Sequence, residues 1–194
     1  MYTARCQSSG DLQPGVIIRG RVAYTAPKVA YCTLETGAVG WIAIDRCCIC
    51  RLSHTAQALT PGEAVAAVVQ GPAASDGLLP LSRRETLGTW AENAAHFRQG
   101  QQTTGTVRSI QPYGIFVELL PNLAGLAEST PGVRVGDTVV VTIRAILPQK
   151  HKIKLDIRQV LPQPGPRMPT QYYITSGHIC RWEYYPGSPA ITVF

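Results

Sequence analysis

"PYGIFVELLPNLAGLA", residues 112–127, has a counterpart upstream in the same chain. "PKVAYCTLETGAVGWI", residues 27–42, falls on it without a gap, so Tyr31 meets Phe116, Leu34 meets Leu119 and Gly40 meets Gly125. "GRV" (20–22) likewise falls on "GTV" (105–107), at the same offset of 85 residues. The offset then drops to 74. "GEAVAAVV" (62–69) meets "GDTVVVTI" (136–143), and "LPLSRR" (79–84) meets "IKLDIR" (153–158). The first copy therefore carries 11 extra residues between Ala43 and Gly62. Two units with a stable offset are two copies of one small module, not a solenoid.

Each copy reads as five short strands. In the second they are "TTGTVRSI", "GIFVEL", "LAGLAE", "DTVVVTIRAIL" and "KIKLDIRQV". The last alternates cleanly: Ile153, Leu155 and Ile157 face one way, and Lys152, Lys154 and Asp156 the other. Glycine and proline punctuate the gaps. Five curved strands in about 60 residues suit a small closed barrel, which leaves no exposed edge.

The repeat divides the chain. Residues 1–82 hold the first barrel and 100–161 the second. Between them, over 83–99, Leu87, Trp90, Ala94 and Phe97 recur at helical spacing before Gly100. This predicts a helix near 86–98 whose apolar face packs on one or both barrels and holds the two modules in a fixed relation. Residues 162–194 comprise a proline-rich connector, "PQPGPRMP" (162–169), and an aromatic tail. There Ser176-Gly177 separates two aromatic runs and predicts a terminal hairpin.

Composition narrows the class. Hydrophobic residues make up 45% of the chain, enough to build packed cores. The net charge of +6 admits an anionic partner without requiring one. No apolar run approaches the roughly 20 residues of a membrane span. "MYTARCQSSGDL" lacks the apolar core of a signal peptide. Adjacent Cys47 and Cys48, and Cys32 within an alternating apolar run, read as reduced thiols. A cytoplasmic protein is expected.

The second copy resembles the S1-type RNA-binding domain, an oligonucleotide-binding barrel (OB-fold). The residues that carry the resemblance are "GTVRSIQPYGIFVEL", "LAGLAEST", "VGDTVVVTIRAI" and "KIKLDIR". The first copy, about 14–82, is similar in degenerate form. "TWAENAAHFRQGQ" resembles the segment that precedes S1 domains in tandem arrays. The resemblance implies a mainly β chain with two tandem five-stranded S1-type OB barrels, joined by a short helix and followed by a C-terminal hairpin. It also implies single-stranded RNA as ligand, held with low sequence specificity, in translation or RNA metabolism. Ribosome or RNA-processing complex association, most naturally bacterial, goes with it.

In that family, aromatics at the positions of Tyr113 and Phe116 stack on bases from the barrel's outer face. Stacking tolerates any base and is worth roughly 1–3 kcal/mol each. The alternative is that one or both rings belong to the core. Lys150, Lys152 and Lys154 surround the start of the last strand, and Lys152 falls where the family often has a backbone-binding arginine. Lysines there neutralise phosphates, unless they are simply a solvated turn. Arg108 extends the patch, with Arg144 beyond it. Two departures weaken the pattern: Glu128 stands where a histidine is common, and Pro148 where an aspartate is. The first copy departs further. Lys28 replaces Tyr113, Ala43 replaces Glu128 and Leu78 replaces Lys152, so Tyr31 alone keeps an aromatic at a family position. The first barrel is therefore expected to be mainly structural or protein-binding, and the second to carry the RNA site.

Other constellations are thinner. Cys47, Cys50 and His54 offer at most three zinc ligands, against the alternative of an ordinary insertion loop. No catalytic set of histidine, carboxylate and nucleophile stands out, nor a phosphate-binding glycine loop. A non-enzymatic protein without cofactor or metal is expected. The rival is a protein–protein adaptor, or an accessory subunit of an RNA-processing complex with reduced RNA affinity. The tail aromatics Tyr172, Tyr173, Trp182, Tyr184 and Tyr185 either form another stacking surface or pack on a barrel.

Overall fold

The computed structural model describes residues 12–163 and 170–194, so most of the proline-rich connector lies outside the described residues. The chain forms two compact units. One comprises Met1–Gly88 with Gln171–Phe194, the other Thr89–Thr170.

In the first unit, β1 (Ile17–Thr25), β2 (Val29–Leu34), β3 (Val39–Ala43), β4 (Ala64–Val69) and β5 (Leu79–Ser82) close a barrel in the order β1-β2-β3-β5-β4. β3 and β5 run parallel, and the other pairings are antiparallel. Alternation sends Val22, Ala30, Cys32, Ile42, Leu79 and Leu81 inward. The 11-residue insertion lies between β3 and β4. The whole β3–β4 connection forms α1 (Ile44–Cys47) and a 3-10 turn at Thr55–Gln57, and it adds Cys47 and Leu59 to the same core. Burial pushes the Cys32 thiol up to about 11 and the Cys47 thiol up to about 12, so both stay protonated at neutral pH. His54 Nδ1 accepts from Ala56 N and so caps the 3-10 turn. Among the described residues no cluster of His, Cys, Asp or Glu is placed to hold a metal ion.

The second unit repeats the barrel. β6 (Gln102–Gln111), β7 (Gly114–Leu120), β8 (Leu123–Ala127), β9 (Thr138–Leu147) and β10 (Lys152–Val160) close in the order β10-β8-β7-β6-β9. With β10 parallel to β8, this is the first barrel's topology strand for strand. Val107, Ile115, Val117, Ile143, Ile153 and Leu155 fill it, each worth about 1.5–3 kcal/mol of burial.

The linking helix is shorter than the spacing predicts. α2 spans only Trp90–Ala94. Gly88, at a φ of +82°, turns the chain just before it. Thr89 then accepts from Glu92 N while Glu92 accepts from Thr89 N, a reciprocal cap that fixes the start. Leu87 and Phe97 are buried but lie outside the helix. No helix among the described residues is long and apolar enough to cross a membrane.

The tail belongs to the first unit, and its hairpin lies later than expected. β11 (Arg181–Glu183) pairs with β12 (Ile191–Val193). The stretch around Ser176-Gly177 pairs instead with the start of the first barrel. Ile17 N donates to Gly177 O at 2.9 Å, Ile179 N donates to Gly15 O at 2.8 Å, and Val16 bridges His178. Trp182 and Tyr184 are buried, so these rings act as packing. Polar groups pin the tail as well. The buried Glu85 carboxylate accepts from Ser82 Oγ, from Thr192 Oγ1 at 2.6 Å and from Arg84 Nε at 3.2 Å. Buried Arg83 donates to Tyr172 Oη at 2.9 Å and to Ala58 O at 3.0 Å. Tyr172 of the tail and Thr86 of the segment after β5 donate to Ala64 O and Ala66 O of β4, a strand buried on both faces from Val65 onward.

Candidate nucleic-acid interface

The β6–β7 hairpin presents the aromatics. Gln111 pairs with Gly114 across a two-residue turn, Pro112-Tyr113. Gly114 takes a φ of +146°, and a Cβ there would lie 2.5 Å from Ala127 O, so no side chain fits. Tyr113 at the tip is 69% exposed. Phe116 is half-buried on the outer face of β7. The two rings meet edge to face, 6.1 Å apart at 90°, a favourable geometry that leaves one face of each ring for a further partner.

Register places a row across the sheet. Ser109 on β6 lies opposite Phe116 on β7, Phe116 opposite Leu126 on β8, Leu126 opposite Lys154 on β10, and Lys154 opposite Ala145 on β9. Strands lie about 4.8 Å apart, so Phe116 and Lys154 are separated by roughly 10 Å of backbone, with Leu126 as an apolar floor between them. Lys152, two residues before Lys154, is exposed on the same face. Lys150 is exposed at the end of a 3-10 turn, Pro148–Lys150. That turn closes through His151, whose φ is +49° and whose ring meets the buried Trp90 edge-on at 5.5 Å.

The arginines are otherwise engaged. Arg108 sits at a bulge between Val107 and Ser109. Its Nε donates to Glu118 Oε2 at 2.6 Å, and its side chain is only 8% exposed, so it braces the hairpin rather than offering a charge to solvent. Arg144 donates to Glu128 at 2.8 Å and lies 3.8 Å from Asp156. The hydrogen bond to Glu128 raises the Arg144 pKa further, with the charges of Glu128 and Asp156 adding to it. Arg158 also faces Asp156, at 3.7 Å. Glu118, Glu128 and Asp156 thus each have an arginine, whereas Lys150, Lys152 and Lys154 form no ion pair among the described residues. Tyr113, Phe116, Lys152 and Lys154 come together on one face, with Lys150 at the end of its bordering turn. Tyr31 belongs to the other unit, half-buried on the outer face of β2. Leu126 has no polar or aromatic signal in the sequence, and only the register reveals its place in the row.

No family model matches the chain. The small ribosomal subunit protein bS1 of Leuconostoc lactis is 27% identical over 165 residues, which is 79% of this chain and 38% of that protein. The bS1 protein of Chlamydia trachomatis is 24% identical over 177 residues, 84% of this chain and 31% of that protein. The chain is therefore similar to bS1 over a stretch that takes in both of its five-stranded barrels. It spans about a third of the length of these bS1 relatives. A single S1-sized stretch of 77 residues is also 35% identical to polyribonucleotide nucleotidyltransferase of Phocaeicola vulgatus, covering 34% of this chain and 11% of that enzyme. The chain matches that enzyme over a small fraction of the enzyme's length, and bS1 over both barrels.

Proposed function

We propose that the second S1 barrel grips single-stranded RNA, with little sequence preference, as a non-enzymatic module of translation or RNA metabolism in a bacterial cytoplasm. The observation that carries this is the row Phe116–Leu126–Lys154, with Tyr113 at its edge. It sets a stacking platform beside lysines that form no ion pair among the described residues. The ribosomal relatives give the setting. Ribosome or RNA-processing complex association follows as the expected assembly. One feature favours a second reading, a protein–protein adaptor with reduced RNA affinity: Arg108 and Arg144 are both held by carboxylates.

Fluorescence anisotropy of labelled oligouridylate and oligoadenylate across a salt series tests the reading. Each phosphate contact is expected to contribute a slope of about −0.7 in log affinity against log salt, similar for both oligomers. Lys154→Ala should flatten the slope by about one such contact. Absence of binding at low salt would overturn the RNA reading in favour of the adaptor.

The acidic departure at Glu128 yields a separate expectation. Glu128→Gln removes the charge that holds Arg144 at 2.8 Å. Affinity for oligouridylate should rise several-fold, and the salt slope should steepen by about 0.7 as Arg144 reaches a phosphate. Unchanged affinity and slope would mean that Asp156 still retains Arg144, or that the strand passes elsewhere.

A further inference from the structure

The first barrel differs from its sequence expectation on its open side. A bulge at Ala23 interrupts the alternation of β1 between Val22 and Tyr24. Val22 points into the core, and after the extra residue Tyr24 points out, 60% exposed. Tyr24 thereby lies opposite Tyr31 on β2, Tyr31 opposite Trp41 on β3, and Trp41 opposite Pro80 on β5. Three aromatic rings from three adjacent strands share one row, spanning roughly 10 Å. The row matches, position for position, Ser109, Phe116, Leu126 and Lys154 of the second barrel.

The charge has moved as well. Pro80 and Leu78 stand where the second barrel has Lys154 and Lys152. Arg19 and Arg21 stand on β1 where it has Thr104 and Thr106. Both arginines are exposed on the outer face, and Arg21 lies opposite Thr33, two residues along β2 from Tyr31. They line a groove of about 500 Å³ that Tyr172 and Thr175 of the tail complete, with Glu35 as its one carboxylate among the described residues. Arg19 donates from Nε to Thr175 O at 3.0 Å, and Arg21 donates from Nη1 to Gly62 O at 3.0 Å. Each such bond uses one of a guanidinium's five donors, which leaves others for a phosphate. On the aromatic row Tyr24 is exposed and Tyr31 and Trp41 are half-buried among the described residues.

We infer that the first barrel carries a second single-stranded nucleic-acid site, in which Tyr24, Tyr31 and Trp41 stack bases and Arg19 and Arg21 hold the phosphates entering the tail-walled groove. A stacking platform flanked by cations is what a single strand requires. The inference rests on RNA as the ligand class but not on the second barrel's site.

The chain supplies its own reporter. Of its three tryptophans, Trp90 and Trp182 are 5% and 3% exposed, whereas Trp41 lies in the row. Oligouridylate titrated into the full chain should quench tryptophan emission, and Trp41→Phe should abolish that quenching while retaining binding by anisotropy. Tyr24→Ala should weaken the quenching transition roughly 5- to 150-fold, the range of one lost stack. Arg21→Ala should flatten its salt slope by about one contact. A chain carrying Tyr113→Ala and Phe116→Ala should keep the quenching transition. Circular dichroism and Tm confirm that each variant is folded. Binding by anisotropy with silent tryptophan emission, together with unchanged affinity in Tyr24→Ala, would overturn the inference and leave the second-barrel reading standing. Quenching that survives while Phe116→Ala has no effect on any phase would do the reverse. No response to RNA by either readout would sink both and leave a protein as the occupant of the aromatic row.

Discussion

Glu85→Ala is expected to destabilise the first unit by about 3–5 kcal/mol, the usual result of deleting one partner from a buried charged network. Glu85 is fully buried, and its two oxygens take hydrogen bonds from Ser82, Arg84 and Thr192. Without the carboxylate, the Arg84 guanidinium and two buried hydroxyls lose their acceptor in a site too enclosed for easy rehydration. The damage also reaches the tail. Thr192 lies on β12, and Arg84 donates to its hydroxyl at 2.9 Å. Losing that link loosens the hairpin that buries Trp182 and Tyr184. Denaturant unfolding followed by tryptophan emission should show the midpoint falling, because Trp182 reports this hairpin directly. Glu85→Gln keeps an acceptor oxygen and should cost less than Glu85→Ala. A midpoint for Glu85→Ala within about 0.5 kcal/mol of wild type, the range of an ordinary surface substitution, would show that the network does not hold the tail.

What the sequence made legible follows from periodicity. The internal repeat located both barrels because Leu34 and Leu119, or Gly40 and Gly125, occupy structurally equal places. Gly40 and Gly125 each sit where a Cβ would strike the leucine of the neighbouring last strand, Leu81 or Leu155, so the match records a close approach rather than chance. Features that break the period were hidden. Strict alternation puts Tyr24 on the same side as Val22, and only the bulge at Ala23 reverses it. The aromatic row of the first barrel was invisible for that reason, and the copy looked eroded. The short helix was readable in principle, since "TWAE" (89–92) is a capping-box pattern. The apolar spacing from Leu87 to Phe97 masked it. The tail's attachment was not readable, because the partners that decide it lie far away in the chain: Glu85 with Thr192, and Arg83 with Tyr172. The charges near the proposed site were legible as residues but not as pairs. Arg108 looks like a phosphate ligand in the sequence and turns out to be the brace of Glu118.

The paired variant Tyr113→Ala with Phe116→Ala should produce the largest loss of RNA affinity at the second barrel. Each stacked ring is worth roughly 1–3 kcal/mol, so removing both costs about 2–6 kcal/mol. The two losses should not simply add. The rings touch edge to face at 6.1 Å, and removing either one also frees its neighbour to move, a coupling on the order of 0.5–1.5 kcal/mol. Stability should change little for Tyr113→Ala, since that ring is largely in solvent. Phe116→Ala should cost more, because half of its ring covers the sheet. The salt series separates stacking from charge. Loss of the rings should lower affinity at every salt concentration with the slope unchanged, whereas loss of Lys152 or Lys154 should flatten the slope. Binding that remains in the paired variant should be the part that quenches Trp41. Should the paired variant bind within about two-fold of wild type at low salt, the outer face of β7 would not be where RNA stacks. The exposed hairpin tip, held by Gly114 and Arg108, would then need a different occupant.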